Sequence, residues 1–234
     1  MVRPIREDYK GAWHHVMNRG RNRALIFMDD GDALDFLNTV GDTVERFGIE
    51  VHAYSLMPNH FHLLVRSPLG NLSFAMKHLG ATYTQGFNRR HRRDGSLFRG
   101  RFKSQLVKYE AYLLYLVAYI HLNPLRAGLI TRLDGVRGWT SHRRYMGKDQ
   151  EPEWLTTDVL AGQFDSQEEM KAFILKLHQK ALPWPDGLNL GDGWFRWHLC
   201  PVDVVKKEAS DDGVAVAEKE LVEAICEITG ASPA

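Results

Sequence analysis

The chain has 234 residues, of which 44% are hydrophobic and 25% charged. This composition is typical of a globular protein with one domain plus an extension, or with two small domains. The opening MVRPIREDYK does not resemble a signal peptide, and the longest apolar run, residues 111–120, is far shorter than the roughly 20 residues needed to cross a bilayer. Two distant cysteines, Cys200 and Cys226, exclude a disulfide framework and a thiolate zinc site. We therefore expect a cytosolic protein.

The net charge of +1 conceals two parts of opposite sign. Residues 1–148 carry 23 Lys and Arg against 12 Asp and Glu, a net charge of +11, whereas residues 149–234 carry 7 against 17, a net charge of −10. A basic body suggests that this part binds a polyanion such as nucleic acid. Two solvated surfaces that partly neutralise each other would give the same totals, so charge alone does not decide.

The first predicted elements alternate between strands and a helix. WHHVMN at residues 13–18 has the pattern of a strand and is followed by the basic turn RGRNR. Residues 32–47 have apolar side chains at helical spacing and end at Gly48, a typical helix terminator. Residues 50–56 and 60–66 predict a hairpin closed by the turn MPN.

Two helices and a strand follow the hairpin. A second helix is predicted at residues 72–88, a fourth strand at 102–107, and a third helix at 112–122, which Asn123 and Pro124 would end. The order β-α-β-β-α-β-α predicts an α+β, ferredoxin-like split βαβ fold. In that arrangement we expect one antiparallel sheet with helices on one face and the other face open to a ligand.

The pattern loosens towards the carboxyl end. An amphipathic helix is predicted at residues 168–182, then an aromatic-rich loop PWPDGLNLGDGWFRWH, then a last helix at about residues 215–229. We therefore predict a domain at residues 1–145 and a mainly helical, acidic extension at residues 146–234.

The stretch MPNHFHLLV places His60 and His62 on a predicted strand. Residues two apart in a strand point to the same face, so both imidazoles would lie side by side while Phe61 enters the core. Imidazole is the commonest metal-binding side chain, and the pair could hold one cation. Two half-buried histidines at a hairpin would give the same pattern, so this motif alone is a weak signal.

The stretch YLLYLVAYIHLN adds a second group of candidate site residues. Tyr119 and Asn123 are four residues apart and would lie on one helical stripe. A phenol can be a covalent nucleophile, and a cation would help by polarising the phosphate it attacks. Asn123 could give that cation an oxygen ligand. The alternative is a tyrosine stripe that packs on the core and an asparagine that only stops a helix.

A basic segment, NRRHRRDGSLFRGRFKSQLVK at residues 88–108, connects these elements. Guanidinium groups neutralise phosphates, and rings such as Phe87, Phe98 and Phe102 could stack on unpaired bases. The segment therefore suits single-stranded or hairpin nucleic acid. A merely solvated basic loop is the alternative.

Three linked motifs, MPNHFHLLVR, LFRGRFKS and YLVAYIHLNPLRAGL, resemble the REP-associated tyrosine transposases, a branch of the bacterial single-tyrosine HUH transposases. HUH stands for His-hydrophobic-His, here His60-Phe61-His62, and the resemblance covers about residues 8–145. It implies an enzyme of the bacterial cytoplasm that cleaves and joins single-stranded DNA at short imperfect palindromes folded as hairpins. In the mobile-element relatives one active site draws on two subunits, so a homodimer is an alternative to a monomer.

The resemblance also implies a role for each site residue. His60, His62 and Asn123 would hold Mg²⁺ or Mn²⁺, although Gln is common in the mobile-element branch at the position of Asn123. Tyr119 would be the nucleophile, forming a 5′-phosphotyrosine bond and releasing a 3′-hydroxyl, with Tyr112 and Tyr115 as competitors. DNA contacts are expected from basic residues of both segments: Arg19, Arg21, Arg23, Arg89, Arg90, Arg92, Arg93, Arg99, Arg101 and Lys103.

Two other functions fit the same residues. One is a hairpin-binding module that has kept the fold without catalysis, and the other is a metal hydrolase in which the cation activates water and Tyr119 is structural. The ending AEKELVEAICEITGASPA resembles the first helix and turn of a truncated helix-turn-helix unit. The alternative is a plain terminal helix in an acidic extension that packs on, or masks, the basic body.

Overall fold

The computed structural model describes residues 7–107, 111–134, 139–149 and 152–179, which are organised around one sheet. Its strands are β1 (Ala12–Arg19), β2 (Glu50–Met57), β3 (His60–Ser67) and β4 (Lys103–Val107). They lie in the order β2-β3-β1-β4, and every neighbouring pair is antiparallel. The connection from β1 to β2 passes over β3, which is the split βαβ arrangement. The predicted α+β fold class is confirmed.

One face of the sheet is covered by α1 (Asp30–Phe47) and α2 (Leu72–Arg90). α1 begins where the Asp29 carboxylate accepts a hydrogen bond from the Asp32 N–H, which satisfies one of the free amides of the first turn. It ends at Gly48, whose φ of 61° lies in the left-handed region that favours glycine. Both ends lie close to the residues that the sequence predicts.

The core on this face also contains the aromatic rings of the basic segment. Phe87, Phe98 and Phe102 are all buried, and Phe87 and Phe98 contact the ring of Tyr83. The prediction that these rings stack on unpaired bases is therefore wrong. Burying an aromatic ring stabilises a fold by removing a large apolar area from water, and these three rings are used in that way while the arginines between them face solvent.

The second face of the sheet is covered by α3 (Ala111–Arg126), with α6 (Gln167–Gln179) packed on the outside of α3. Leu64 of β3 belongs to the same apolar cluster as Leu116 and Ile120 of α3 and Ile174 of α6. We expected helices on one face only, and this expectation was wrong. The physical reason is that α3 is apolar around most of its circumference, so it needs both the sheet and a further helix to cover it.

α3 also continues past the residues predicted to end it. It runs through Pro124 to Arg126, and the Ala127 N–H donates to the Asn123 carbonyl in helical register. Proline forfeits one helical hydrogen bond, but its fixed φ is compatible with a helix, and here the ring is buried. As a result, Tyr119, Asn123 and Arg126 lie on one stripe of a continuous helix.

The described residues beyond 139 pack along the edge of β2 and against α3. Two short helices, α4 (His142–Tyr145) and α5 (Asp158–Ala161), precede α6. Isolated bridges join Ser55 to Thr140 and Val51 to Leu155, so the outer edge of the sheet is partly covered.

α6 lies where a helix was predicted at residues 168–182. The boundary between residues 1–145 and 146–234 stays a prediction, and the aromatic-rich loop and the last predicted helix lie outside the described residues. None of the helices in the described ranges combines the length and the apolar character that a membrane span requires.

The buried His142 gives a first testable prediction, about stability. His142 faces His121 and Asp134, and Lys148 and Lys171 both pair with Asp134. Burial lowers the pKa of His142 from 6.5 to about 4, against the opposing effect of Asp134. The unfolded chain therefore takes up a proton first as the pH falls. The stability from neutral His142 is present above about pH 6.5 and is lost towards pH 4.

We expect the free energy of unfolding of the wild type to fall by about 3 kcal/mol more than that of His142→Gln between pH 7 and pH 4. Urea unfolding at a series of pH values measures this difference. If the free energies of unfolding of the two proteins fell in parallel between pH 7 and pH 4, His142 would not be the group whose protonation destabilises the fold.

Candidate active site

His60 and His62 lie together on the face of β3 that is covered by α3. Their ring centroids are 5.1 Å apart. His62 is buried, whereas His60 is partly exposed at the start of the strand. Phe61 between them points into the opposite core. The structure thus brings the two imidazoles together as the two-residue spacing predicts.

Each imidazole of the pair is held through its Nδ1 atom. His60 Nδ1 lies 2.7 Å from Asn59 Oδ1, and the Asn59 amide donates in turn to the Arg23 carbonyl. His62 Nδ1 lies 2.9 Å from Nε2 of His15, on the neighbouring strand β1. With Nδ1 engaged in both rings, Nε2 is the atom that each ring can direct at a cation, which is the usual pattern of oriented histidine ligands.

Tyr119 lies directly against this histidine cluster. Its ring is edge-on to those of His62 and His15, with centroids 5.9 Å apart in both cases. The side chain is only 2% exposed. Burial raises the pKa of the Tyr119 phenol well above its usual value, while the nearby Arg126 guanidinium and, to a smaller extent, the amide of Asn123 act in the opposite direction. The resting phenol is therefore neutral and needs nearby positive charge before it can attack.

Tyr119 is the tyrosine whose ring contacts both His15 and His62. Tyr115, one turn earlier, is buried in the same apolar cluster as Tyr119, and burial raises the pKa of its phenol to about 12. The side chain of Tyr112 lies outside the described part of the chain. The geometry therefore favours Tyr119 over Tyr115 as the tyrosine that faces the histidines.

Arg126 is a residue at this site that the sequence analysis missed. Its guanidinium lies 5.9 Å from the centre of the Tyr119 ring, on the same stripe of α3 as Tyr119 and Asn123. A guanidinium here can stabilise a phenolate or bind a phosphate oxygen. The sequence did contain a signal for it, because Arg126 follows Asn123 by three residues just as Asn123 follows Tyr119 by four. We predicted that the helix ends at Asn123, so Arg126 was not placed on the same helical stripe.

His15 is the second residue that the sequence analysis missed. It is fully buried on the central strand, where it contacts both His62 and Tyr119. The sequence did contain a signal for it in the pair HH of WHHVMN. Because a strand places consecutive residues on opposite faces, one of these two histidines must lie on the same face of the sheet as His62. His14 accordingly points to the other side, where its Nε2 lies 3.2 Å from Asp8 Oδ1.

The side chains at this site are of types that can bind a divalent cation. Within the described ranges, no group of three His, Cys, Asp or Glu side chains could hold a metal ion. The imidazoles of His60 and His62 together with the amide oxygen of Asn123 would be a different set, which would leave coordination positions for phosphate oxygens and water. Burial lowers the pKa of His62 well below its usual value, so this ring is neutral and able to act as a ligand near pH 7.

The two basic segments predicted to contact DNA meet at one end of the sheet. The Arg21 N–H donates to the Leu97 carbonyl, and the Arg99 N–H donates to the Arg19 carbonyl. An isolated bridge joins Gly20 to Phe98 between them. Residues far apart in sequence are thereby brought onto one surface.

This basic surface borders the histidine pair and consists of Arg21, Arg23, Arg99 and Arg101, which are all exposed. Arg19, the register partner of His60, was also predicted to contact DNA but is buried. Exposed guanidinium groups beside a partly exposed His60 can guide a phosphate backbone towards the site.

The other predicted DNA contacts are Arg89, Arg90, Arg92, Arg93 and Lys103. The Arg90 guanidinium lies 2.7 Å from Asp29 and 2.5 Å from Asp32, so much of its charge is already neutralised within the fold. Arg93 lies over the ring of Phe87 at 5.7 Å. Arg89 and Arg92 are exposed at the end of α2, and Lys103 is half-buried on β4.

Comparisons with known proteins agree with the resemblance. The family model described as IS200-like transposase matches residues 8–123. A protein of Haemophilus influenzae described as a REP-associated tyrosine transposase is 23% identical over 134 residues, which cover 51% of this chain and 74% of the relative.

Two solved structures were also matched. A REP-associated tyrosine transposase bound to a REP hairpin aligns with a TM-score of 0.54 and 17% identity, covering 68% of this chain and 93% of that chain. This match shows that the fold is shared. A structure described as a transposase from Deinococcus radiodurans gives a TM-score of 0.37 at 18% identity, with 51% and 95% of the two chains covered, and supports no argument.

The residues matched by the family model include His60, His62, Tyr119 and Asn123. This match, the curated relative and the shared fold agree with one another. The chain therefore belongs to the family of IS200-like transposases, and it is similar to a REP-associated tyrosine transposase of that kind.

Proposed function

We propose that the protein is a metal-dependent endonuclease and strand transferase that acts on single-stranded, hairpin-forming DNA through a covalent bond to Tyr119. The observation that carries this proposal is the convergence of Tyr119 with the pair His60 and His62 beneath α3. Membership of a transposase family, and a structural relative bound to a REP hairpin, support hairpin DNA as the substrate.

In this proposal His60, His62 and Asn123 would hold Mg²⁺ or Mn²⁺, the histidines through Nε2 and Asn123 through its amide oxygen. When bound, the cation supplies positive charge that polarises the scissile phosphate and favours ionisation of the phenol. Asn123 could serve both groups, because its amide oxygen can bind a cation while its NH₂ is able to donate to a phenolic oxygen.

Tyr119 would carry out the covalent step. Its oxygen forms a bond to phosphorus and the bond from phosphorus to the 3′-oxygen breaks. The phenol proton passes in net terms to that oxygen, which leaves as a 3′-hydroxyl. Attack by a 3′-hydroxyl on the phosphotyrosine reverses these changes and joins strands. Because the phosphotyrosine retains the energy of the broken bond, joining needs no external energy source.

The burial of Tyr119 means that this phenol must become accessible when DNA binds. His60 is the partly exposed side of the site, next to the basic surface, so DNA would approach from there. A shift of α3, which carries Tyr119, Asn123 and Arg126 together, would open the phenol to the phosphate while keeping these three groups in register.

The basic surface gives a prediction about affinity. We expect Arg99→Gln and Arg101→Gln each to weaken hairpin binding and to reduce the slope of log K against log salt by about 1, as for loss of a phosphate contact. Fluorescence anisotropy at several salt concentrations measures both quantities. Arg90→Gln is the control, because its guanidinium is held by Asp29 and Asp32, so this change should leave the salt slope unaltered. If the wild type and all three variants had the same salt slope, the proposal that DNA binds along the basic surface would be contradicted.

Covalent trapping tests the proposed function against its alternatives. Oligonucleotides that fold as imperfect hairpins, chosen from any palindromes in the DNA that flanks the gene, are incubated with wild-type protein and Mn²⁺ or with EDTA, then run on a denaturing gel. The proposal predicts a protein–DNA adduct and a free 3′-hydroxyl fragment with Mn²⁺ and neither with EDTA. Binding without cleavage would support a hairpin-binding module. Cleavage without an adduct would support a hydrolase.

A further inference from the structure

We infer that His15 is a positioning residue that accepts a hydrogen bond from Nδ1–H of His62 and so fixes the tautomer in which His62 presents the lone pair of Nε2 to the cation. This inference rests on the proposed function, because it takes His62 as a metal ligand. It adds a residue to which neither the comparisons nor the motif assigns a role.

The geometry of the two rings carries the inference. His15 Nε2 and His62 Nδ1 are 2.9 Å apart, and the rings lie nearly parallel, with an interplanar angle of 24° and centroids 5.1 Å apart. Two nitrogens at this distance share one proton in a hydrogen bond. The direction of that bond decides which nitrogen of His62 keeps a lone pair.

Only one direction of the bond is compatible with metal binding through Nε2 of His62. If His62 Nδ1–H donates to His15 Nε2, the Nε2 atom of His62 has a lone pair and can bind a cation. If His15 Nε2–H donates instead, the proton of neutral His62 resides on Nε2 and blocks that atom. A metal-binding histidine is usually fixed in the competent tautomer by an acceptor at its other nitrogen, and His15 occupies that place here.

The position of His15 in the fold makes it a rigid acceptor. It lies on β1 between β3 and β4, opposite Leu64 and Gln105, and it is fully buried. The ring of Tyr119 packs edge-on against the ring of His15, with the two ring centroids 5.9 Å apart. A ring enclosed in this way has little freedom to turn, so it can hold His62 in one orientation.

His15 supports the cation without being one of its ligands. The described residues contain no group of three His, Cys, Asp or Glu side chains that could hold a metal ion, although His15, His60 and His62 all lie at this site. The Nε2 atom of His15 is directed at a ring nitrogen of His62 instead. His60 and His62 would thus be the two histidine ligands, and the ring of His15 would support His62 from the side away from the cation.

The first test reads the tautomer directly in the metal-free protein. Protein labelled with ¹⁵N-histidine is studied by long-range ¹H–¹⁵N correlation NMR, which distinguishes a protonated Nδ1 from a protonated Nε2. The inference predicts that His62 carries its proton on Nδ1 in the wild type and populates the Nε2–H tautomer in His15→Leu. A wild-type His62 protonated on Nε2 would overturn it.

The second test measures Mn²⁺ binding without DNA, by the electron paramagnetic resonance signal of free Mn²⁺. We expect His15→Leu to weaken Mn²⁺ binding by about 10- to 100-fold, while His15→Gln, whose side-chain oxygen can accept the same hydrogen bond, stays close to wild type. His14→Gln is the matched control, because His14 is equally buried on the same strand but points to the other face.

Folded His15→Leu with wild-type Mn²⁺ affinity would refute the positioning role. If His15→Leu does not fold, the wild-type tautomer and the affinity of His15→Gln decide the question. A wild type that fails to bind Mn²⁺ at all would instead overturn the metal site of the proposed function, and the NMR measurement would still report on His15 separately.

Discussion

Tyr119→Phe is expected to form no covalent product with hairpin DNA in the presence of Mn²⁺, and to lower strand cleavage by at least about 10,000-fold, as removal of a covalent nucleophile does elsewhere. The change deletes one oxygen atom from a buried ring, so we expect the fold and the hairpin affinity to be kept, at a cost in unfolding free energy of only about 1 kcal/mol. Denaturing gels measure the adduct, and anisotropy measures the binding.

Tyr115→Phe provides the matched control for this experiment. Tyr115 is a buried tyrosine on the same helix, one turn before Tyr119, and the same single atom is removed. We expect its adduct to form at the wild-type level. Loss of the adduct in Tyr115→Phe together with its persistence in Tyr119→Phe would reverse the assignment of the nucleophile.

His60→Ala is expected to have the second-largest effect. His60 is partly exposed, so the substitution leaves the core on both faces of the sheet intact. Loss of a metal ligand should weaken Mn²⁺ binding by at least about 100-fold and reduce adduct formation at sub-saturating Mn²⁺ by a similar factor. Calorimetric Mn²⁺ titration and adduct yield as a function of Mn²⁺ concentration measure the two effects.

His78→Ala is the control for the histidine substitution. His78 is also partly exposed, but its ring contacts that of Phe47 on the opposite side of the sheet, at a centroid distance of 5.3 Å and a tilt of 49°. It should bind Mn²⁺ and form the adduct as the wild type does. If His60→Ala and His78→Ala behaved alike, the cation would have to be bound elsewhere.

The sheet and its hairpin could be predicted from the sequence because their signals are local. Alternating residues in HFHLLV fix which side chains share a face, and MPN closes the hairpin with one tight turn. The same local rule places His60 and His62 side by side. It carries no information on what lies above them, since that depends on contacts between residues far apart in the chain.

The wrong predictions concern residues whose surroundings are set by contacts with distant parts of the chain. α3 was ended at Asn123 because a proline usually stops a helix, yet here a buried Pro124 is kept within it. The phenylalanines of the basic segment were read as stacking platforms because their burial depends on Tyr83 and Phe61, which lie elsewhere in the sequence. Arg90 was counted with the other arginines because the sequence does not reveal its pairing with Asp29 and Asp32.

The burial of Tyr119 has consequences for how the enzyme would be controlled. A neutral phenol with a raised pKa is a poor nucleophile, so in the proposed function the resting protein would be protected from unwanted attack on other phosphates. Arg126, Asn123 and a bound cation would all favour the phenolate once a phosphate is bound at the site. Chemistry would then depend on DNA binding first.

The central claim, that Tyr119 and the histidine pair form one site for covalent chemistry on DNA, is tested most directly by locating the bond. The adduct formed with Mn²⁺ is digested with nuclease and trypsin, and the peptide of residues 109–126, which contains Tyr109, Tyr112, Tyr115 and Tyr119, is fragmented in a mass spectrometer. We predict a 5′-linked phosphonucleotide on Tyr119, absent when Mn²⁺ is replaced by EDTA. A nucleotide on a different residue, or equal labelling without metal, would contradict the account.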